Sequence, residues 1–438
     1  MSILTKEEAQ AILKKVIGFS KADECEVNLG GSTGGNIRYA RNAVSTAGEI
    51  SNMSLSVNST FGKKTGTASI NEFDDASLEK VVRRAEELAQ LSPENPEYMP
   101  LLSGEAFDDS ITYNAQTAAM TPDTRAEMVL KSLTVAKEAK LEAAGFLENS
   151  NGFRAVMNSK GLFAYNKSTD VSFSVTVRNQ AGTGSGYVSQ SFNDLSKMDT
   201  LAQSKIAAMK ANGSAGAKAI EPGKYTVILE PLAASDMISN MFRGFDARSA
   251  DEGRSFMSKK GGGTRLGEQL FSDNVTIYSD PMNTELPSAT WNSDGLPIKK
   301  TVWVDKGVVK NLSYSRYWAK EKGVAPLPFS RSMIIEGGTQ SLEELIKSTE
   351  KGILVTRFWY IRSVDPQTLL LTGLTRDGTF YIENGEIKFP VKNFRFNESP
   401  VIMLNNVEAF GKSVRSGDMM VPPMKIRDFT FTSLSDAV

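Results

Sequence analysis

The stretch GTFYIENGEIKFPVKNFRF (378–396) decides how the second half of this chain is read. Residues 380–383 (FYIE) and 386–388 (EIK) flank Asn384-Gly385. Asn-Gly suits a two-residue turn whose central residues both take positive φ, the turn that matches the twist of paired strands. Upstream, Trp303-Val304 and Val308-Val309 flank Asp305-Lys306-Gly307, a second hairpin signal. KKGGGTRLG (259–267) reads as a loop. Residues 224–230 (KYTVILE) read as a strand, followed by Pro231 and a helix over about 233–242. The second half is therefore expected to be mostly antiparallel β.

The first half carries more helix. Thr5 and Glu8 form a capping-box pattern, and Ala9, Ile12, Leu13, Val16 and Ile17 keep helical spacing behind it. Cys25, Val27 and Leu29 alternate with polar residues, as do Met53, Leu55 and Val57, so short strands are expected over 24–71. A helix over 75–91 places Leu78, Val81, Val82, Ala85, Leu88 and Ala89 on one face. SPENPEYMP (92–100) reads as a loop. Thr121-Pro122 opens a helix expected to run to about Ala144, residues 146–192 read as a meander of strands, and a helix is expected over about 194–211, ending at Gly213. The Gly/Ala-rich NGSAGAKAIEPG (212–223) reads as a boundary. The expected fold is α+β: a helix-bearing mixed α/β domain over 1–215 and a mostly antiparallel β domain over 220–438.

Composition removes whole classes of chemistry. The chain has 50 Lys+Arg against 51 Asp+Glu, so it lacks the basic excess of a free-standing nucleic-acid binder. It has no histidine and one cysteine, Cys25. Ser-His-Asp and Cys-His pairs need an imidazole base, and zinc hydrolases draw two or three ligands from His. All-oxygen metal sites, Lys or Tyr bases and paired carboxylates survive. A single cysteine fits a reducing compartment. The opening MSILTKEEAQ lacks the pattern of a signal peptide, and no apolar stretch approaches the ~18 residues of a membrane span. A cytoplasmic protein with neither a membrane nor a direct nucleic-acid partner is expected.

Four segments carry a resemblance. They are ADECEVNLGG (22–31) with NIRYARNAVSTAG (36–48), SLEKVVRRAEELAQLSP (77–93), GKYTVILEPLAASDMI (223–238) with DEGRSFM (251–257), and the 378–396 stretch with MVPPMKIRDFTF (420–431). In this order, over nearly the whole length, the chain resembles the TldD/PmbA family. That resemblance implies metal-dependent proteolysis of unfolded peptides and peptide precursors. The family also carries an older name, modulator of DNA gyrase. TldD-type chains carry HExxxH on a helix of the second domain and a later Cys near the C-terminus. The matching helix here, about 233–244, reads AASDMISNMFRG, and the C-terminal segment before Pro422 has no Cys. The chain thus follows the PmbA (TldE) pattern. The resemblance implies a partner subunit without zinc, other cofactor or catalytic residue of its own. It would pair with itself or with a TldD-like zinc-carrying paralogue and close a chamber around unfolded peptide.

Several residues are weighed on that basis. Asp236 and Asn240 stand at i, i+4 and share a helix face, a thin ligand set for a hard cation against solvated side chains. Arg243, Asp246, Arg248, Asp251, Glu252 and Arg254 read either as a salt-bridged surface or as a chamber wall facing the partner. Arg376-Asp377-Gly378 reads as a turn, although an Arg there can fork onto a peptide carboxylate. Asp236, Asn240, Arg243, Arg248, Arg254 and Arg376 are the candidate chamber or peptide contacts. Cys25 reads as a small buried hydrophobe. The Gly261–263 and Gly182, Gly184, Gly186 runs read as flexible loops, the former a possible lid, and neither has the spacing of a phosphate-binding loop. Two rival functions stand beside the subunit reading: an autonomous hydrolase built on carboxylates such as Asp236, Asp246 and Asp251, and a regulatory protein acting through protein contacts.

Overall fold

The computed structural model describes residues 3–330 and 332–435. The first half is built on one antiparallel sheet of six strands. β1 (Glu24–Ala40), β2 (Ala43–Phe61), β3 (Lys64–Ile70), β4 (Glu142–Asn158), β5 (Phe163–Arg178) and β6 (Ser185–Phe192) lie in the order β3-β2-β1-β4-β5-β6. The expectation of short strands over 24–71 is corrected, because β1 and β2 run for 17 and 19 residues. Glycines at 30, 31, 34 and 35 bring no side chain to the alternation and hide the continuity. They are nevertheless paired on both sides, with β2 and β4.

Two helix pairs cover one face of this sheet. α1 (Lys6–Phe19) has the expected capping box, and with α2 (Asp75–Leu91) it packs Leu13, Val16, Leu78 and Val82 on Cys25, Val27, Leu29, Leu55 and Val57. After the single turn α3 (Ala115–Ala118), α4 (Pro122–Glu138) and α5 (Thr200–Gly213) pack Val129, Leu133, Ala207 and Ala211 on Tyr39, Leu147, Phe173 and Val175. α4 stops well short of Ala144, since Ala139 caps it and Lys140 turns at φ 56° into β4. The helix expected from 194 starts later as well. Residues 195–197 form a 3-10 turn, and Asp199 caps α5 by accepting the Ala202 N–H.

Gly184 and Gly186 are not a flexible loop. A Cβ on Gly186 would stand 2.1 Å from the Ala207 carbonyl oxygen, and one on Gly184 2.2 Å from that of Ala211. Their bareness lets α5 lie directly on β6. Gly186→Ala is expected to destabilise the chain by about 1–3 kcal/mol, read as a lowered urea midpoint, because the helix must lift from the strand. An unchanged midpoint would show that the contact is loose.

The opposite face of the sheet is polar. Register pairs Arg178 with Ser185, Thr176 with Tyr187 and Ser174 with Ser189, all on that face. It looks towards the second half. Arg154 stacks over Trp291 at 4.3 Å and donates to its carbonyl at 3.0 Å, and Ser185 donates to Asp377 at 2.5 Å.

The second half holds two further sheets. One has the order β10 (Val308–Val309), β9 (Thr301–Asp305), β8 (Ile277–Ser279), β11 (Met333–Ile335), β20 (Met419–Val421), β19 (Val414–Ser416). The other runs β13 (Phe358–Asp365), β14 (Leu370–Thr375), β17 (Phe394–Glu398), β21 (Met424–Leu434), β7 (Lys224–Leu229), β12 (Lys351–Val355), β15 (Thr379–Glu383), β16 (Glu386–Pro390), with β18 (Val407–Phe410) beside β21. Pairing is antiparallel except for β11 with β20 and β12 with β7. Both hairpins form as read: Lys306 and Gly307 take φ 47° and 80°, Asn384 and Gly385 take 54° and 76°. The core between the sheets gathers Val227, Leu229, Phe245, Trp303, Phe394, Phe396 and Phe431. The fold is α+β. No helix among the described residues is long and apolar enough to cross a membrane.

Candidate functional site

The residues singled out in the sequence converge only in part. α6 (Pro231–Ile238) follows β7 directly, with Pro231 in its first turn. It buries Ala233, Ala234, Met237 and Ile238, which pins it to the core. The helix is shorter than the expected 233–242 span, and residues 239–245 tighten into a 3-10 turn. Asn240 therefore donates its side-chain amide to the backbone oxygen of Asp236 at 2.7 Å. The Asp236 carboxylate instead accepts the Phe358 N–H of β13 at 3.0 Å. Asp236 and Asn240 share a turn but not a ligand site.

Burial pushes the Asp236 carboxyl up to about 7, while the Phe358 hydrogen bond and the Arg357 charge pull the other way. Next to it, Ser235 and Ser416 share a buried hydroxyl hydrogen bond of 3.0 Å. At the head of the helix, Glu230 accepts from Lys210 of α5 at 2.5 Å. The helix is thus tied to the first half by a buried ion pair.

The charged run after α6 is wired internally. Asp246 caps α7 (Ala247–Asp251) by accepting from Ser249. Arg248 forks onto Glu97 at 2.8 and 2.9 Å and reaches Glu252 at 2.9 Å. Arg254 also bonds Glu252, and Asp251 accepts from Trp318 at 2.8 Å and pairs with Lys322 at 3.1 Å. Arg243 is exposed and has no such partner among the described residues. Among the described residues, no hydrogen bond or ion pair joins these side chains to the Asp236 carboxylate. The salt-bridged reading describes Arg248, Asp251, Glu252 and Arg254, and the carboxylates Asp236, Asp246 and Asp251 do not assemble into a hydrolytic pair. Cys25 is buried, and that burial pushes its thiol up, away from a nucleophile's range.

Arg376 lies in a different setting. Its guanidinium stacks on Trp359 at 4.0 Å, and Arg357 stacks on Tyr187 at 3.7 Å. Arg357 pairs with Asp377 at 2.9 Å, and Asp377 in turn accepts from Ser185. Arg357, Tyr187 and Trp359 were not singled out in the sequence, and Asp377 was read only as part of a turn. The only local signals were the cation-aromatic run RFWY (357–360) and the Asp377-Gly378 turn, where both residues take positive φ. Here β6 of the first half meets the start of β13, one residue from the N–H that holds Asp236.

Comparison with known proteins bears on this arrangement. Residues 25–89, 116–215 and 222–433 match, in that order, domain 1, the central domain and the C-terminal domain of the PmbA/TldA metallopeptidases. The chain belongs to the PmbA/TldD family. The metalloprotease PmbA of Escherichia coli O157:H7 is 21% identical over 97% of this chain and 98% of its own. The TldE crystal structure from Thermococcus kodakarensis superposes with a TM-score of 0.87 at 20% identity, covering 97% of this chain and 99% of TldE. A Thermotoga maritima structure described as a candidate modulator of DNA gyrase gives 0.87 at 17% identity, covering 97% and 100%. These structures show the shared fold.

A PmbA/TldD metallopeptidase implies a metal, and the residues on α6 do not fit one. Zinc takes three or four N, S or carboxylate ligands. α6 offers the single carboxylate of Asp236, already bonded to a backbone N–H, beside a mutually bonded Ser235–Ser416 pair. Among the described residues, no three His, Cys, Asp or Glu side chains group to hold a metal ion.

Proposed function

We propose that this chain is a TldE-like, non-catalytic subunit of a peptidase complex, forming one wall of a chamber for unfolded peptide and pairing with itself or with a zinc-carrying TldD-like paralogue. The observation that carries the reading is the makeup of α6. The helix has the family's place in the chain, directly after β7, but its polar groups are spent on hydrogen bonds within the fold. The polar face of the six-stranded sheet, which meets Arg357 at the start of β13 through Tyr187, supports a surface that holds peptide backbone without strong side-chain selection. The balanced charge, 50 basic against 51 acidic residues, favours a peptide over a nucleic acid.

Elemental analysis of the purified chain, with a peptide-cleavage assay in the presence and absence of chelator, tests this reading. The expected result is zinc far below one ion per chain and no cleavage. One zinc per chain with chelator-sensitive cleavage would overturn it. Cleavage that persists in chelator would favour an autonomous hydrolase. Pull-down at native expression, with mass spectrometry of what co-purifies, is expected to bring down a paralogue carrying HExxxH in near-equal amount.

A further inference from the structure

Arg376 is largely buried, with a side-chain exposure of 19%, and its five N–H groups find no hydrogen-bond acceptor among the described residues. Its nearest anionic atom, Asp377 Oδ2, is 3.8 Å from Nε. That same oxygen already accepts from Arg357 at 2.9 Å, and the other carboxylate oxygen of Asp377 accepts from Ser185. One carboxylate thus serves two guanidinium groups, leaving a positive charge and a set of donors unmatched. Burial lowers the pKa of Arg376 below its ordinary value, and the nearby Arg178 and Arg357 charges add to the effect.

These donors are partly open to solvent, so an anion can take the place of the water that meets them. The ring stacks define what that ligand is. The Arg376 guanidinium carbon lies 4.0 Å from the Trp359 ring centre, and a planar guanidinium with a fork of N–H groups suits a planar, two-oxygen anion. Trp359 is 38% exposed and Tyr360 59% exposed beside it, so the site opens to solvent along an aromatic edge. It lies where β6 meets β13.

We propose that Arg376, with Arg357 behind it, forms a subsite for the free C-terminal carboxylate of the bound peptide, Trp359 and Tyr187 being the rings over which the two guanidinium groups sit. This rests on the peptide-chamber reading. It adds that the chain selects peptide ends over internal segments.

The test uses the full chain and one flexible peptide in two forms, free acid and C-terminal amide, titrated by calorimetry. The free acid is expected to bind at least about tenfold tighter. Arg376→Gln is expected to bring the acid down to the affinity of the amide and leave the amide unchanged. Arg376→Lys, which keeps the charge and loses the fork, is expected to fall between, and it serves where the Gln variant fails to fold. Equal affinity of the two forms for the parent chain would overturn the subsite while leaving the chamber reading intact. So would an Arg376→Gln variant that weakens both forms alike. Failure of both forms to bind would remove the chamber reading and the subsite together.

Discussion

Lys210→Met is expected to destabilise the chain by roughly 3–5 kcal/mol, the usual result of removing one partner from a buried ion pair. Lys210 and Glu230 are 9% and 14% exposed and meet at 2.5 Å. Burial holds the Glu230 carboxyl above its ordinary range even with the lysine beside it, so without the lysine the charged form is stranded. The loss is therefore expected to be larger at pH 8 than at pH 5, where Glu230 can take up a proton. The double variant Lys210→Met with Glu230→Leu is expected to recover most of the stability, because two apolar side chains of similar volume leave no charge behind. Urea denaturation of the three proteins at both pH values measures this. A loss below about 1 kcal/mol would mean that water reaches the pair as it does surface pairs. Lys210 closes α5 and Glu230 opens α6, so the same variant should loosen the grip of one half on the other.

Asp236→Asn should act in the opposite direction. The carboxyl is held at about 7 in the fold against an ordinary 3.8. The folded chain then binds the proton more tightly than the unfolded chain. Stability is highest below the ordinary value, falls as pH rises from about 4 to about 7, and is level above that. Full expression of the shift corresponds to about 4 kcal/mol, as roughly three pH units at 1.36 kcal/mol each. The amide of the variant cannot ionise, yet its oxygen can still accept the Phe358 N–H. The variant is therefore expected to match the parent near pH 4 and to exceed it at pH 8 by up to that amount. Parallel pH profiles for parent and variant would show that the carboxylate is hydrated rather than buried. A carboxylate that resists ionisation is also a poor metal ligand, in keeping with the poor fit of the α6 residues to a metal.

Much of the fold was legible because its signals are local. Thr5 and Glu8 cap a helix, Pro122 starts another, and Asn384-Gly385 sets a turn, each through contacts within a few residues. The ends of the helices at Glu138 and Asp199 were less legible, since Ala139 carries no strong stop and Asp194 and Asp199 both offer an N-cap side chain, the first taken by the 3-10 turn and the second by α5. Strand length was hidden by glycines whose role is set by neighbours over a hundred residues away, such as Gly34 against the Asn149 carbonyl. The lack of His and Glu on α6 could be read directly, because it rests on which residues are present. The Arg357–Asp377–Arg376 arrangement could not be. It depends on Ser185 and Tyr187 arriving from the other half of the chain, and no spacing along one segment encodes that.

The place of β21 has a consequence for how the protein is made. The first-half sheet has all its strands once residue 192 has been synthesised, and its last covering helix ends at Gly213. The larger second-half sheet has β21, residues 424–434, at its middle, between β7 and β17. A growing chain thus carries a nearly finished first half for more than two hundred residues of translation. Throughout that time β7, with Val227, Ile228 and Leu229, lacks the neighbour that will cover one of its edges. Such pairings across long sequence separation form slowly and leave apolar edges open to association. The second half of this protein is thus the part whose apolar strand edge stays open longest during synthesis.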